Sequence, residues 1–170
     1  MALEICTYPN PVLAKTAQRV EEITPELVQL AKDMSVCMYA NQGIGLAAPQ
    51  VGESIRLIVV DVTGPEQREQ LITLFNPEIT GHAGEVESEE GCLSLPFFNC
   101  TVNRAAQVTV RGQDINGNEV TINADGLLAI CLQHEIDHLE GTLLLNRVGR
   151  IKKTMYDKKV KKLDKRRQED

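Results

Sequence analysis

The nine residues QHEIDHLEG, positions 133–141, constrain this chain more than any other stretch. They contain two of its three histidines, His134 and His138, spaced four apart. On a helix that spacing puts both imidazoles on one face. Such a pair can hold one metal ion, and Glu135 between them can act as general acid/base on a water at that ion. The flanks support a helix. Asp125 stands where an N-cap belongs, Leu128, Cys131, Leu132 and Leu139 supply apolar positions, and Gly141 is a fitting stop. Taken alone, the motif also fits two hydrogen-bonded histidines on a half-buried helix, so the rest of the chain must decide.

A catalytic metal site takes three protein ligands and leaves a fourth position open. His82 is one possible third ligand, but its Gly-rich surroundings read as a surface turn. Cys92, in EGCLSLP, is the better candidate. Gly91 beside it lets backbone come close, and a coordinating thiol is deprotonated, which lowers the charge of the site. GIGLAAPQVG, ending near Gln50, is the third element. It reads either as a plain helix-to-strand turn or as the source of a neutral donor aimed at a developing oxyanion.

The surrounding pattern fits α+β rather than a wound parallel sheet. Asn10-Pro11 predicts a short helix, and Thr24-Pro25 a longer one to about Tyr39 with Leu27, Leu30, Ala31, Met34 and Met38 on one stripe. IRLIVVD (55–61) and LITLFNP (71–77) read as strands, with TGPEQREQ between them as a polar loop. A second loop is expected near Gly81-His82-Ala83-Gly84. QVTVRGQDINGNEVTI alternates around Asn116-Gly117, a hairpin signal. The expected architecture is mixed or antiparallel strands around a central helix carrying the HExxH motif, followed by a C-terminal helix.

Composition excludes several classes. At 170 residues with 42% hydrophobic content the chain can bury a core, and no apolar run nears the ~20 residues of a membrane helix. Its first fifteen residues lack the pattern of a secretion signal. Five dispersed cysteines point to free thiols in a reducing compartment. Charge is split: residues 150–170 hold ten Lys/Arg against four Asp/Glu, and the remainder eight against twenty. An acidic body with a basic tail implies that the tail has its own partner, or simply a solvated face, and Tyr156, Val160 and Leu163 form a narrow apolar stripe along that tail.

GIGLAAPQ, EGCLSLP and QHEIDHLEG, in that order, resemble the three signature motifs of the peptide deformylase family. YPNPVL, the VVD strand, FNPEI and ADGLLAI are similar to the same family. The resemblance runs over about residues 3–148, implying a catalytic domain at 1–148 and a basic helical tail at 149–170. It implies metal ligation by Cys92, His134 and His138, with Glu135 as catalytic acid/base. It further implies oxyanion donors from the Gln50 side chain and the Leu93 N–H. Gly45 would contact the substrate backbone, and a methionine pocket would draw on Ile44, Leu127, Ile130 and Cys131 with Glu90 nearby. Arg104 would support the Cys92 loop through Glu90.

The implied reaction removes the N-formyl group from the methionine of nascent polypeptides, metal-bound hydroxide attacking the formyl carbon and formate leaving. Only the resemblance supplies the formyl substrate. It also implies Fe²⁺ as the working ion, with Zn²⁺ or Ni²⁺ as replacements, a bacterial cytoplasmic setting, and a tail that docks on the ribosome near the exit tunnel. No membrane or DNA partner is expected. Two rival readings are an HExxH zinc endopeptidase, for which no histidine follows His138, and a non-catalytic ribosome-binding relative, for which no signature position is broken. One departure stands out. Phe97-Phe98 follows Pro96 where many relatives carry glycine or a polar stretch, and it reads either as a local hydrophobic plug or as an altered rim to the methionine pocket.

Overall fold

The computed structural model describes residues 2–169. After a 3-10 turn at Pro11–Ala14 come helix α1 (Pro25–Ala40) and the short strand β1 (Gly45–Ala47). A 3-10 turn (Ala48–Val51), strand β2 (Leu57–Val60) and a single helical turn α2 (Gly64–Gln67) follow. Strands β3 (Ile72–Ala83), β4 (Val86–Cys92), β5 (Leu95–Arg104), β6 (Gln107–Gln113) and β7 (Glu119–Asp125) lead into helix α3 (Gly126–Leu139). A last 3-10 turn (Leu144–Asn146) connects to helix α4 (Arg150–Glu169).

Five strands form one antiparallel sheet in the order β1-β2-β3-β6-β7, and β4 and β5 pair with each other in a separate two-stranded sheet. The α+β expectation therefore holds. The sheet is buried on both faces where α1 and α3 cover it. Every residue of β2 is buried, and the two-residue period sorts them. Ile58 and Val60 pack with Leu132, Ile136 and Leu139 of α3, whereas Leu57 and Val59 pack with Met34 and Met38 of α1. Burying each such side chain stabilises the fold by roughly 1.5–3 kcal/mol. A third core cluster lies outside the sheet. It joins Leu95, Phe98, Cys100 and Val102 of β5 to Leu13, Leu143–Leu145, and Tyr156 and Val160 of α4.

The helix ends are set by local chemistry. The Thr24 hydroxyl accepts from Leu27 N–H at 3.3 Å, and Asn10 Oδ1 accepts from Val12 N–H at 3.0 Å. Asp125 does occupy the N-cap of α3, but its carboxylate makes no capping hydrogen bond. Gly141 stops α3 with φ +72°, and a Cβ there would stand 2.6 Å from the Ala14 carbonyl oxygen, so only glycine fits.

Three local expectations need correction. The stretch read as a loop at Gly81–Ala83 is the outer end of β3, paired with Gln107–Thr109 of β6. Residues 63–70 contain the helical turn α2. The apolar stripe of the tail is not free: Tyr156 and Val160 are buried against the chain's own β5.

Candidate active site

Three elements converge on one cleft. Helix α3 delivers His134, Glu135 and His138 from a single face. The tip of the β4–β5 hairpin delivers Cys92, where the strand register slips between Gly91 and Cys92. The turn after β1 delivers Gln50. The cleft has a volume of about 440 Å³ and is lined by Ile44, Gly45, Gln50, Glu90, Cys92, Leu93, Leu127, Ile130, Cys131, His134 and Glu135, among others. Every residue that the sequence proposed for substrate contact or catalysis lies on it. Of the three proposed ligands, His138 sits behind that wall, 2% exposed.

Cys92, His134 and His138 each offer a ligand atom, and these atoms lie within 4.8 Å of one another. Cys92 Sγ is 3.4 Å from His138 Nε2. Tetrahedral coordination by one thiolate and imidazole nitrogens puts S and N about 3.5 Å apart, so the donor set fits a single divalent ion. His82 is elsewhere, on the exposed end of β3.

A layer of charge stands behind these donors. Arg104, 4% exposed, donates Nε to Glu90 Oε2 at 2.9 Å, one Nη to Glu90 Oε1 at 2.7 Å, and the other to Asp137 Oδ2 at 2.7 Å. Asp137 is gripped from outside by Arg147 through bonds of 2.8 and 2.7 Å. Burial works to raise the Glu90 carboxyl, but hydrogen bonds from Arg104 and His134 hold it down at about 2. The Arg104–Glu90 pairing expected from the sequence is present. Asp137 and Arg147 were not anticipated. Asp137 lies inside the HEIDH motif, which is the only local signal it offered; Arg147 offered none.

Glu135 has the opposite environment. It is 5% exposed, its Oε2 has no partner among the described residues, and burial pushes its carboxyl up to about 7. A carboxylate poised near neutrality can both take and return a proton. Gly45 makes room for it, since a Cβ there would lie 2.6 Å from Glu135 Oε1. Gln50, 2% exposed, is locked by accepting from Ala47 N–H at 3.0 Å and donating to Ser94 Oγ at 3.1 Å. Its Nε2 thus faces Cys92 Sγ at 3.6 Å, inside the cleft.

Phe97 and Phe98 both line the cleft but differ in burial. Phe98 is 8% exposed and packs against Tyr156, the rings tilted by 59° with centroids 5.0 Å apart. Phe97 is 75% exposed at the mouth of the cleft.

A buried carboxylate beside a converging thiol and two imidazoles, on a cleft of mixed polar and apolar lining, defines a metal-dependent hydrolase. Comparison with known proteins narrows the class. The family model for polypeptide deformylase matches residues 2–154. A peptide deformylase of Thermodesulfovibrio yellowstonii is 52% identical over 159 residues, covering 94% of this chain and 96% of that protein. The crystal structure of a peptide deformylase from Legionella pneumophila superposes with a TM-score of 0.92 at 40% identity, over 100% of this chain and 99% of that one. That of the Synechococcus elongatus enzyme in complex with actinonin gives 0.86 at 42% identity, over 92% and 87%. The chain belongs to the polypeptide deformylase family.

Proposed function

We propose that this protein removes the N-formyl group from the N-terminal methionine of nascent polypeptides, releasing formate and a free amine. The observation that carries the hydrolytic chemistry is the placement of buried Glu135 beside the Cys92–His134–His138 cluster, and membership of the polypeptide deformylase family supplies the formyl substrate.

In this reading Cys92, His134 and His138 hold the ion. When bound, the ion supplies Lewis acidity and lowers the pKa of water toward neutrality. Glu135 takes the proton from the attacking water and passes it to the leaving nitrogen. The Gln50 amide and the Leu93 N–H donate to the oxygen that gains charge as the formyl carbon turns tetrahedral. Gly45 contacts the peptide backbone. Ile44, Leu127, Ile130 and Cys131 take the methionine side chain, and burial keeps the Cys131 thiol protonated by pushing it up to about 12. Glu90 orients His134 and is itself fixed by Arg104.

We assign Fe²⁺ as the working ion, with Zn²⁺ or Ni²⁺ as substitutes, because the family resemblance implies it; one thiolate and two imidazoles are compatible with all three. We assign residues 1–148 as the catalytic unit and 149–170 as a tail whose outward lysines dock on the ribosome near the exit tunnel, in a bacterial cytosol. No helix among the described residues is long and apolar enough to cross a membrane.

Parallel assays of formyl-Met-Ala-Ser and its unblocked counterpart test the reading. Formate release from the first, with no cleavage of the second, supports it. Cleavage of the unblocked peptide would favour an endopeptidase.

A further inference from the structure

Phe97 combines three properties that rarely occur together. Its side chain is 75% exposed, its φ is +63°, and it lines the mouth of the cleft. A bulky residue in the left-handed region is a strained conformation, which persists only where neighbours impose it. Those neighbours come from α4. Tyr156 Oη donates to the Pro96 carbonyl at 2.9 Å, and Lys159 Nζ donates to the Phe97 carbonyl at 3.4 Å. The Lys159 ammonium also sits 5.5 Å from the centre of the Phe97 ring. Tyr8 anchors the same helix, donating to Asp157 Oδ1 at 2.6 Å. The two carbonyls flanking the strained residue are thus held by the tail helix, and the ring is turned out beside the cleft rather than into the core that takes Phe98.

An exposed aromatic face continuous with the cleft that holds Glu135 and the metal-type donors has one natural occupant: the part of the substrate that leaves the cleft. We propose that Phe97, clamped by Tyr156 and Lys159, is a specificity determinant that packs against an apolar side chain within the first two residues beyond the formyl-methionine. Helix α4 then acts as a positioning element for the substrate rim. The inference rests on the deformylase reading of the site.

The test compares kcat/KM for formyl-Met-Leu-Leu with that for formyl-Met-Ser-Ser on the metal-loaded enzyme. Wild type should prefer the leucine peptide by about tenfold, mostly through KM, the scale of one apolar contact made or lost. Phe97→Ala should bring the ratio close to one, and Phe97→Tyr, which keeps the ring, should restore it. Lys159→Ala and Tyr156→Phe should each narrow the ratio by loosening the clamp. A purely structural role would lower both peptides together and leave the ratio unchanged. An equal ratio in wild type and Phe97→Ala, or no preference in wild type, overturns the inference while formate release continues. No formate from either peptide would overturn the deformylase reading itself, and this inference with it.

Discussion

Oε1 of Glu90 stands 3.0 Å from Nδ1 of His134. Because Glu90 is held ionised by Arg104, it can only accept, so Nδ1 carries the hydrogen and Nε2 is the ring nitrogen left to face a metal. Glu90→Gln should therefore weaken metal affinity by about 10–100-fold, the usual effect of removing an outer partner of a ligating histidine. Competition with a chelator measures this, and unchanged affinity would remove Glu90 from the role.

Glu135→Ala separates chemistry from metal binding. The side chain is not one of the three clustered donors, so elemental analysis should find the ion still bound. Turnover of formyl-Met-Ala-Ser should fall by about 10²–10⁴-fold, the range for loss of a general acid/base. Near-normal turnover would refute the assignment.

Cys92→Ser tests the proposed third ligand. A hydroxyl stays protonated where a thiol ionises, so the variant should lose its ion on dialysis while its circular dichroism stays native. Retention equal to wild type would leave the two histidines with a different partner.

Arg104→Met removes the cation between Glu90 and Asp137; Asp137 keeps Arg147, but the buried Glu90 carboxylate loses its guanidinium partner and is left facing His134. Breaking a buried pair from one side costs about 3–5 kcal/mol. Denaturant unfolding should show that loss, and a change below about 1 kcal/mol, the range of an exposed pair, would contradict the buried-network account.

The outward face of α4 carries Lys158, Lys162 and Lys165, all exposed. Changing the three to glutamate should leave turnover of short formyl peptides intact and weaken ribosome co-sedimentation, most visibly as salt is raised from a low value. Unaltered sedimentation would make these lysines a solvated face and nothing more.

What the sequence makes legible follows from how far each signal reaches. The HEIDH pair, the Thr24-Pro25 cap and the Asn116-Gly117 hairpin are local, and each element forms where its residues say. The end of β3 fails this test. Thr80 and His82 are exposed and Gly81 has no side chain, so no apolar alternation marks the strand, and its pairing with β6 supplies the hydrogen bonds. β1 is only three residues long and reads as part of a Gly-rich turn. Tyr156 and Val160 announce an apolar stripe, but not what covers it. The answer, Phe98, lies 58 positions before Tyr156 and depends on the whole hairpin reaching back to the tail. The salt bridge from Arg147 to Asp137 is equally invisible, since it crosses the turn between α3 and α4.

The most direct test of the central claim is formate release from formyl-Met-Ala-Ser by protein purified without oxygen, with iron, nickel and zinc measured on the same sample. The account predicts about one ion per chain and rapid release that stops on chelation and returns with added metal, as expected for a single three-ligand site. A metal-replete sample that releases no formate would contradict it.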